Sequence, residues 1–379
     1  MKKMKSFLVF SVFILGIIGG SVFLHAGEPA VRDALQPFVD SGEMPGVVSI
    51  LWDGGEMKID CVGWADVEKK VPISEKNVFW IASMTKAFTG TAIMMLVDEG
   101  KLSLDDPVEK YLPEFKNLRV AVRNEDGTVM LRAPKVKMTV RHALCHCAGF
   151  SFLTPQQEQF GIDVFPMRPF ASTAASLPLQ ADPEVQYHYS NVGIDVASAV
   201  LEVVSGQTVE EFFQTRIFDP LGMTDTTFYP TKEQIARMAK CYRVENGKVC
   251  VPGNIPYVKA PFDSPRRFAE AGGGLFSTPE DVMKFYRMLA ANGVWEGRRL
   301  LSEEAMKTLG TKQTPESIPN AYSLGMSIDG DWIGHGGALQ TDAKANPKTD
   351  QAWLYFVQIQ GHSSCRRNWN RAAAEVLKK

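Results

Sequence analysis

Phe79-Trp80-Ile81-Ala82-Ser83-Met84-Thr85-Lys86 is the stretch on which the fold turns. It leads into a run from Met84 to Glu99 that is apolar on nearly every side (Phe88, Ala92, Ile93, Met94, Met95, Leu96, Val97) and stops at Gly100. A helix that is apolar all round is a buried helix, and glycine is a common residue just past a helix end. Ser83 therefore stands at the mouth of an interior helix, with Lys86 one turn further along the same face. A serine hydroxyl is a weak nucleophile and needs a base. A lysine three positions on can reach it, burial and nearby cations weaken its hold on a proton, and the helix start favours developing negative charge. The tetrad alone is weak evidence and reads by default as an N-cap serine and a solvated lysine. The apolar run around Lys86 speaks against a solvent-facing side chain.

Outward from this helix, both chain ends read as sheet and helix. Val31 to Val39 has helical spacing and ends near Gly42; Val47 to Trp52 reads as a strand, Asp53-Gly54-Gly55 as a turn and Met57 to Trp64 as the return strand. Towards the other end, Thr278-Pro279-Glu280-Asp281 opens a helix to about Ala291. Tyr322 to Ile328, Asp331 to Gly334 and Gln351 to Gln360 read as strands, and Arg366 to Leu377 as a closing helix. Between the ends, residues 105 to about 265 read as helices and loops: Thr139 to Cys147, Val192 to Ser205 closed by Gly206, and Val209 to Phe218. Residues 150–188, rich in Pro, Ser and Gln, read as a long surface excursion, a lid or a binding wall. The expected architecture is α+β. An antiparallel sheet from both ends (about 27–80 and 266–379) is flanked by helices, and a mostly helical subdomain (about 81–265) is inserted.

Two further stretches carry chemistry. Tyr189-Ser190-Asn191 precedes a helix. The phenol can exchange a proton if cations lie near, and the Asn191 amide can bind a carbonyl and orient Lys86; by itself the tripeptide is also an ordinary turn with an N-cap. His335-Gly336-Gly337-Ala338 precedes the strand at 351–360. Gly337 lets a substrate approach the backbone, and the N–H groups of Ser83 and Ala338 could form an oxyanion hole. In isolation it is a glycine-rich turn.

Taken together, in this order and at these separations, the three elements resemble the motifs of the superfamily of class C β-lactamases, D-Ala-D-Ala peptidases and related serine esterases. Thr139 to Phe150 resembles that family's helix and turn ending His-Thr-Ser-Gly, Ile217 to Met223 its Pro-Leu-Gly-Met segment, and Ala271 to Thr278 its Ala-Gly-Gly-Leu-x-Ser-Thr segment. The resemblance covers roughly residues 30 to 378. It implies a β-lactamase/transpeptidase-like fold and a serine hydrolase that forms an acyl-enzyme on Ser83, with Lys86 and Tyr189 sharing the proton transfers. It further implies an oxyanion held by the backbones of Ser83 and Ala338, substrate contacts at Asn191, His335, Gly337 and Ala338, and no metal or organic cofactor.

Two departures bear on substrate. The third motif begins with His335 where the family's β-lactamases usually have lysine, and neutral histidine is a poor fixed partner for a carboxylate. This favours an esterase or D-amino-acid peptidase over a β-lactamase, with a small ester, amide or peptide substrate, cell-wall fragments among the candidates. Cys145 and Cys147 replace the usual Thr and Ser. Their spacing around His146 invites a zinc reading, but no second pair completes a tetrahedral site, so packing is expected. Two alternatives stand beside the hydrolase: a catalytically silent peptidoglycan- or ligand-binding module on the same fold, and an acyltransferase.

Lys2, Lys3 and Lys5 followed by apolar residues from Phe7 to about Leu24, and then Ala26, read as an export signal over 1–26, or as an N-terminal membrane anchor if it is not cleaved. The expected location is periplasmic or secreted. Without those residues the chain has 38 Lys+Arg against 43 Asp+Glu, a net charge of −5, and no basic stripe, so nucleic acid is not an expected partner. Six cysteines could oxidise in such a compartment. A two-residue turn at Asn246-Gly247 would pair Arg243 with Cys250 and set Cys241 diagonal to it.

Overall fold

The computed structural model describes residues 24–26, 29–245, 248–250, 255–361 and 364–378. Its spine is an eight-stranded sheet drawn from both chain ends. From the first end come β1 (Leu24–Ala26), helix α1 (Pro29–Asp40), β2 (Gly46–Trp52) and β3 (Met57–Asp66). From the second come β4 (Ser327–Asp329), β5 (Trp332–Gly336), β6 (Asp342–Asn346) and β7 (Gln351–Phe356). The order is β1-β3-β2-β7-β6-β5-β4, with Val71–Pro72 paired to β3 off this path. The chain ends meet where β2 pairs antiparallel with β7, Ile50 opposite Leu354. Leu24–Ala26, the end of the expected leader, pairs in parallel with Met57–Ile59; residues 1–23 lie outside the described residues.

Strand β2, Gly-Val-Val-Ser-Ile-Leu-Trp, is buried along its whole length, as a central strand covered on both faces must be. Alternate residues serve two cores. Val47 and Leu51 pack with Trp369, Ala372 and Val376 of the closing helix (Cys365–Leu377). Val48, Ile50 and Trp52 join the larger core with helix α2 (Thr85–Asp98) and the amphipathic helix Pro279–Ala290. The Trp369 indole N–H donates to Ser49 Oγ at 2.8 Å, satisfying the one hydroxyl in the strand.

Helix α2 is buried from Thr85 to Leu96 and lies against a turn with no side chain between. A Cβ on Gly90 would come within 1.8 Å of the Leu324 carbonyl oxygen, and one on Gly325 (φ +73°) within 2.2 Å of the Lys86 carbonyl oxygen. Helix α3 (Asn191–Ser205) packs across it and ends at Gly206 in the left-handed conformation.

The inserted region departs from expectation in two places, 120–132 and 150–188, and meets it in one. Residues 120–132 form a β-hairpin, Val120–Arg123 against Val129–Arg132, where helix and loop were expected. A second hairpin pairs Tyr242–Glu245 with Lys248–Cys250, with Arg243 opposite Cys250 as the turn chemistry required; Cys241 is a free thiol. Residues 150–188 are no surface excursion. They hold helices Pro155–Phe160 and Met167–Ser176, and Gln157, Met167, Phe170, Ala171 and Leu179 are buried. Their apolar positions recur at helical spacing, and the second of these helices packs on α3.

Candidate functional site

Ser83 sits on a single 3-10 turn, Ala82–Met84, between the strand piece Phe79–Trp80 and α2. Ala82 has φ +48°, a conformation costing a non-glycine residue on the order of 1–3 kcal/mol and persisting only where its surroundings impose it. Those surroundings are clear. Ile81 N–H donates to Leu275 O at 3.0 Å, the Trp80 indole to Gly273 O at 2.7 Å, Thr85 Oγ1 to Ala82 O at 2.7 Å and Leu275 N–H to Thr85 Oγ1 at 3.2 Å. The segment 272–275 clamps the turn that presents the serine.

Lys86 is fully buried. Its Nζ lies 3.1 Å from Ser83 Oγ, 2.7 Å from Asn191 Oδ1 and 2.5 Å from the Gly272 carbonyl oxygen. Gly272 O can only accept. The Asn191 amide is oriented because its Nδ2 donates to Glu270 Oε1 at 3.0 Å, turning Oδ1 towards the lysine. Two of the three Nζ directions therefore end on acceptors. An amine that has lost one proton would spend both N–H groups there and aim its lone pair at the Ser83 hydroxyl, the geometry of a general base. Asn191 is free for this because the helix cap is Ser190, whose Oγ accepts from Gly193 N–H at 3.1 Å.

Tyr189 joins the cluster through its ring, whose centroid lies 4.8 Å from Lys86 Nζ, a cation–π distance. Its hydroxyl hydrogen-bonds His335 Nε2 at 3.4 Å rather than Ser83. His335 Nδ1 lies 2.6 Å from Gly336 O. That carbonyl can only accept, so the neutral ring carries its proton on Nδ1 and offers a lone pair at Nε2 to the phenol. Burial, reinforced by Lys86, lowers the His335 pKa to about 3, so the ring is neutral at pH 7. A second imidazole, His146, lies 4.5 Å from the Tyr189 ring. Its Nδ1 accepts from Ser190 N–H at 3.2 Å, and burial drives its pKa well down.

Gly337 belongs where it is for a steric reason. A Cβ there would lie 2.4 Å from Ile81 O and 2.2 Å from Thr341 Oγ1. This close approach brings the 337–341 loop against the residues leading into Ser83, and Thr341 Oγ1 donates to Ile81 O at 3.3 Å. Ala338 follows at the exposed rim. Beyond Tyr189 an aromatic edge runs outward: Phe152 stacks on Tyr189 at 6.0 Å and meets Tyr257 edge-on at 6.0 Å, and both are exposed. Cys145 and Cys147 pack in a small buried cluster with Ile318 and Tyr322; among the described residues no three His, Cys, Asp or Glu side chains gather as a ligand set.

A family model described as Beta-lactamase matches residues 31–378. The chain belongs to the beta-lactamase family. Among beta-lactamase-family relatives, Protein Rv1367c of Mycobacterium tuberculosis is 29% identical over 333 residues, covering 86% of this chain and 80% of the relative. Lovastatin esterase of Penicillium rubens is 33% identical over 235 residues, 59% of this chain and 58% of the relative. Unliganded simvastatin synthase (LovD) from Aspergillus terreus has the same fold: TM-score 0.76 at 22% identity, over 92% of this chain and 98% of that one. The α+β architecture read from the sequence is thus the β-lactamase/transpeptidase-like fold, and the family includes esterases and acyltransferases.

Three site residues escaped the sequence reading. Glu270 lies two positions before the glycine run 272–274, where an acid near residues that must approach another backbone was a usable signal. Asp195 is an acid within the apolar first half of its helix, four positions after Asn191 and so on its face. Gly272 contributes only its carbonyl, which no residue type advertises.

Proposed function

We propose that the protein is an exported serine acyl hydrolase whose substrates are small neutral esters, with amides as slower substrates. The observation that carries the reading is the Lys86 environment: a buried amine 3.1 Å from the Ser83 hydroxyl, its other directions tied to pure acceptors. Ser83 Oγ attacks the substrate carbonyl as its proton passes to Lys86. The carbonyl π electrons move to the oxygen, held by the N–H groups of Ser83 and Ala338. The intermediate collapses to an ester on Ser83, and the leaving alkoxide takes a proton delivered by Lys86 with Tyr189 as second carrier. Water then repeats the steps and frees the acid.

His335 supports esters over β-lactams and peptides ending in a carboxylate. A lysine here would present a cation; this ring is neutral and spends its lone pair on Tyr189. Acyl transfer is the same chemistry with another acceptor. The exposed Phe152–Tyr257 edge beside Tyr189 favours that second reading, since an apolar acceptor seated there would compete with water.

The test is hydrolysis of p-nitrophenyl acetate and butyrate, with nitrocefin for comparison and a fluorophosphonate probe located by peptide mapping. Ester turnover, a Ser83 adduct and little nitrocefin cleavage are expected. A folded sample with no Ser83 adduct overturns the reading in favour of a silent binding module. Esters formed from added alcohols would move it to acyltransferase. Export is tested by fractionating cells that express the full chain; residence in the cytoplasm overturns it.

A further inference from the structure

Among the described residues Lys86 touches no carboxylate. Its three hydrogen-bond partners, Ser83, Asn191 and Gly272 O, are neutral groups, and a buried cation without a counter-charge is costly. Two carboxyls lie one step further in. Glu270, 2% exposed, accepts from the Asn191 amide that also holds Lys86. Asp195, 1% exposed, accepts from Ala271 N–H at 3.1 Å and from Gln157 Nε2 at 3.3 Å. Both line one crevice, with Gln157, Phe165 and Phe170, too narrow to admit water. Glu270 Oε2 is buried and makes no hydrogen bond of good geometry among the described residues, although the Gly272 and Gly273 N–H groups lie close enough to favour the charged form of the carboxyl. Two full negative charges in one dry crevice repel strongly, and such pairs hold a proton between them.

We propose that Glu270 and Asp195 form a carboxyl pair sharing one proton, and that its single remaining charge, reaching Lys86 through the Asn191 amide, is the counter-charge of the ammonium. Both are positioning residues: neither touches Ser83. The inference rests on the reading of Lys86 as the base for Ser83. The charged groups that bear on the pair are its two members and Lys86; His146 and His335 pack against Tyr189 and are held neutral by burial. Burial raises both carboxyls above the usual range, the Asp195 charge raises Glu270 further, and the Ala271 N–H at Asp195 and Lys86 at both pull part of the way back.

The pair makes an unusual prediction. Glu270→Gln or Asp195→Asn leaves the other carboxyl to ionise, so each single variant keeps one negative charge beside Lys86. Only the double variant loses it. Without the counter-charge the ammonium gives up its proton more easily. The ascending limb of the pH profile for fluorophosphonate labelling of Ser83 should then move to lower pH by about one unit or more, a tenfold change in proton affinity. In the single variants it should stay nearly in place. A purely structural role would lower the rate without moving the limb. A second readout needs no activity: the infrared difference spectrum between wild type and Glu270→Gln or Asp195→Asn, at pH 7, should show loss of a protonated-carboxyl band in at least one variant. An unmoved limb in the folded double variant, or no such band in either difference spectrum, overturns the proposal. If wild type is never labelled, the hydrolase reading fails and the infrared result still decides the pair, as it does if the double variant fails to fold.

Discussion

Behind Lys86 lie Asn191, Asp195 and Glu270; in front of it lie Tyr189, His146 and His335. The two carboxyls and the two imidazoles are all buried, and burial disfavours the charged form of each. The outcomes are opposite in sign. Behind the lysine, acids are pushed towards keeping protons; in front, imidazoles are pushed towards refusing them. One side becomes a reservoir able to carry negative charge, and the other a set of lone pairs without positive charge. Among the described residues hydrogen-bonded around Ser83, Lys86 is then the one side chain left to supply a positive charge, and on the proposed reading the lack of a second one beside Tyr189 disfavours carboxylate-bearing substrates.

The comparison can be broken at several strengths. Ser83→Ala removes the atom both sides serve, and ester turnover should fall by roughly 10⁴-fold or more with the melting temperature little changed; normal turnover would discard the mechanism outright. Lys86→Met removes the centre of the comparison. It should cost about 10²–10⁴-fold in acylation, the usual worth of a positioned base, read by single-turnover kinetics. His335→Lys makes the front resemble the family's β-lactamases. The phenol loses its acceptor and the site gains a cation, so ester kcat/KM should fall about tenfold while KM for a carboxylate-bearing ester improves by a similar factor, the 1.4 kcal/mol of one modest interaction. An unchanged ratio between neutral and carboxylate substrates would show that position 335 does not set this preference.

The smallest expected effect is in stability. His335 has a folded pKa of about 3 against an ordinary value of 6.5. Between these the unfolded chain binds a proton that the folded one refuses, so this contribution is complete above about pH 6.5 and is lost as pH falls. The carboxyls run the other way. Raised above their ordinary range, they contribute most at low pH, and that contribution is lost as pH climbs past the ordinary value of 3.8. The slopes oppose one another between about pH 4 and 6.5. His335→Gln should tilt the urea midpoint in favour of the acid end of that window, and Asp195→Asn in favour of the neutral end. Equal tilts in both variants would contradict the opposite signs.

How much of this was legible depended on whether the signal was local. Ser83 and Lys86 announced themselves because a helix puts positions three apart on one face, and a lysine amid Phe88, Ile93 and Met94 has nowhere to go but inward. Strand β2 and its return declared themselves by composition and by the Asp53-Gly54-Gly55 turn. The 120–132 hairpin was missed because Val129, Met130 and Leu131 are exposed, so no alternation marks a buried face. The helices within 150–188 were masked by Pro and Gln, although Pro155 occupies a first helical turn and Gln157 completes a capping box with Thr154. The Tyr189–His335 bond joins residues 146 positions apart, and no sequence spacing encodes which acceptor a phenol chooses.

The bare contact between Gly90 and the Leu324 carbonyl, mirrored by Gly325 over Lys86, has a consequence for how such a protein can diversify. With backbone resting on backbone, the rod that carries nucleophile and base cannot slide or roll by even a fraction of a turn, and any methyl placed at the crossing would wedge it loose. New substrate ranges must then be written at the rim, in residues such as Phe152 and Tyr257, while the reactive pair beneath stays in fixed alignment.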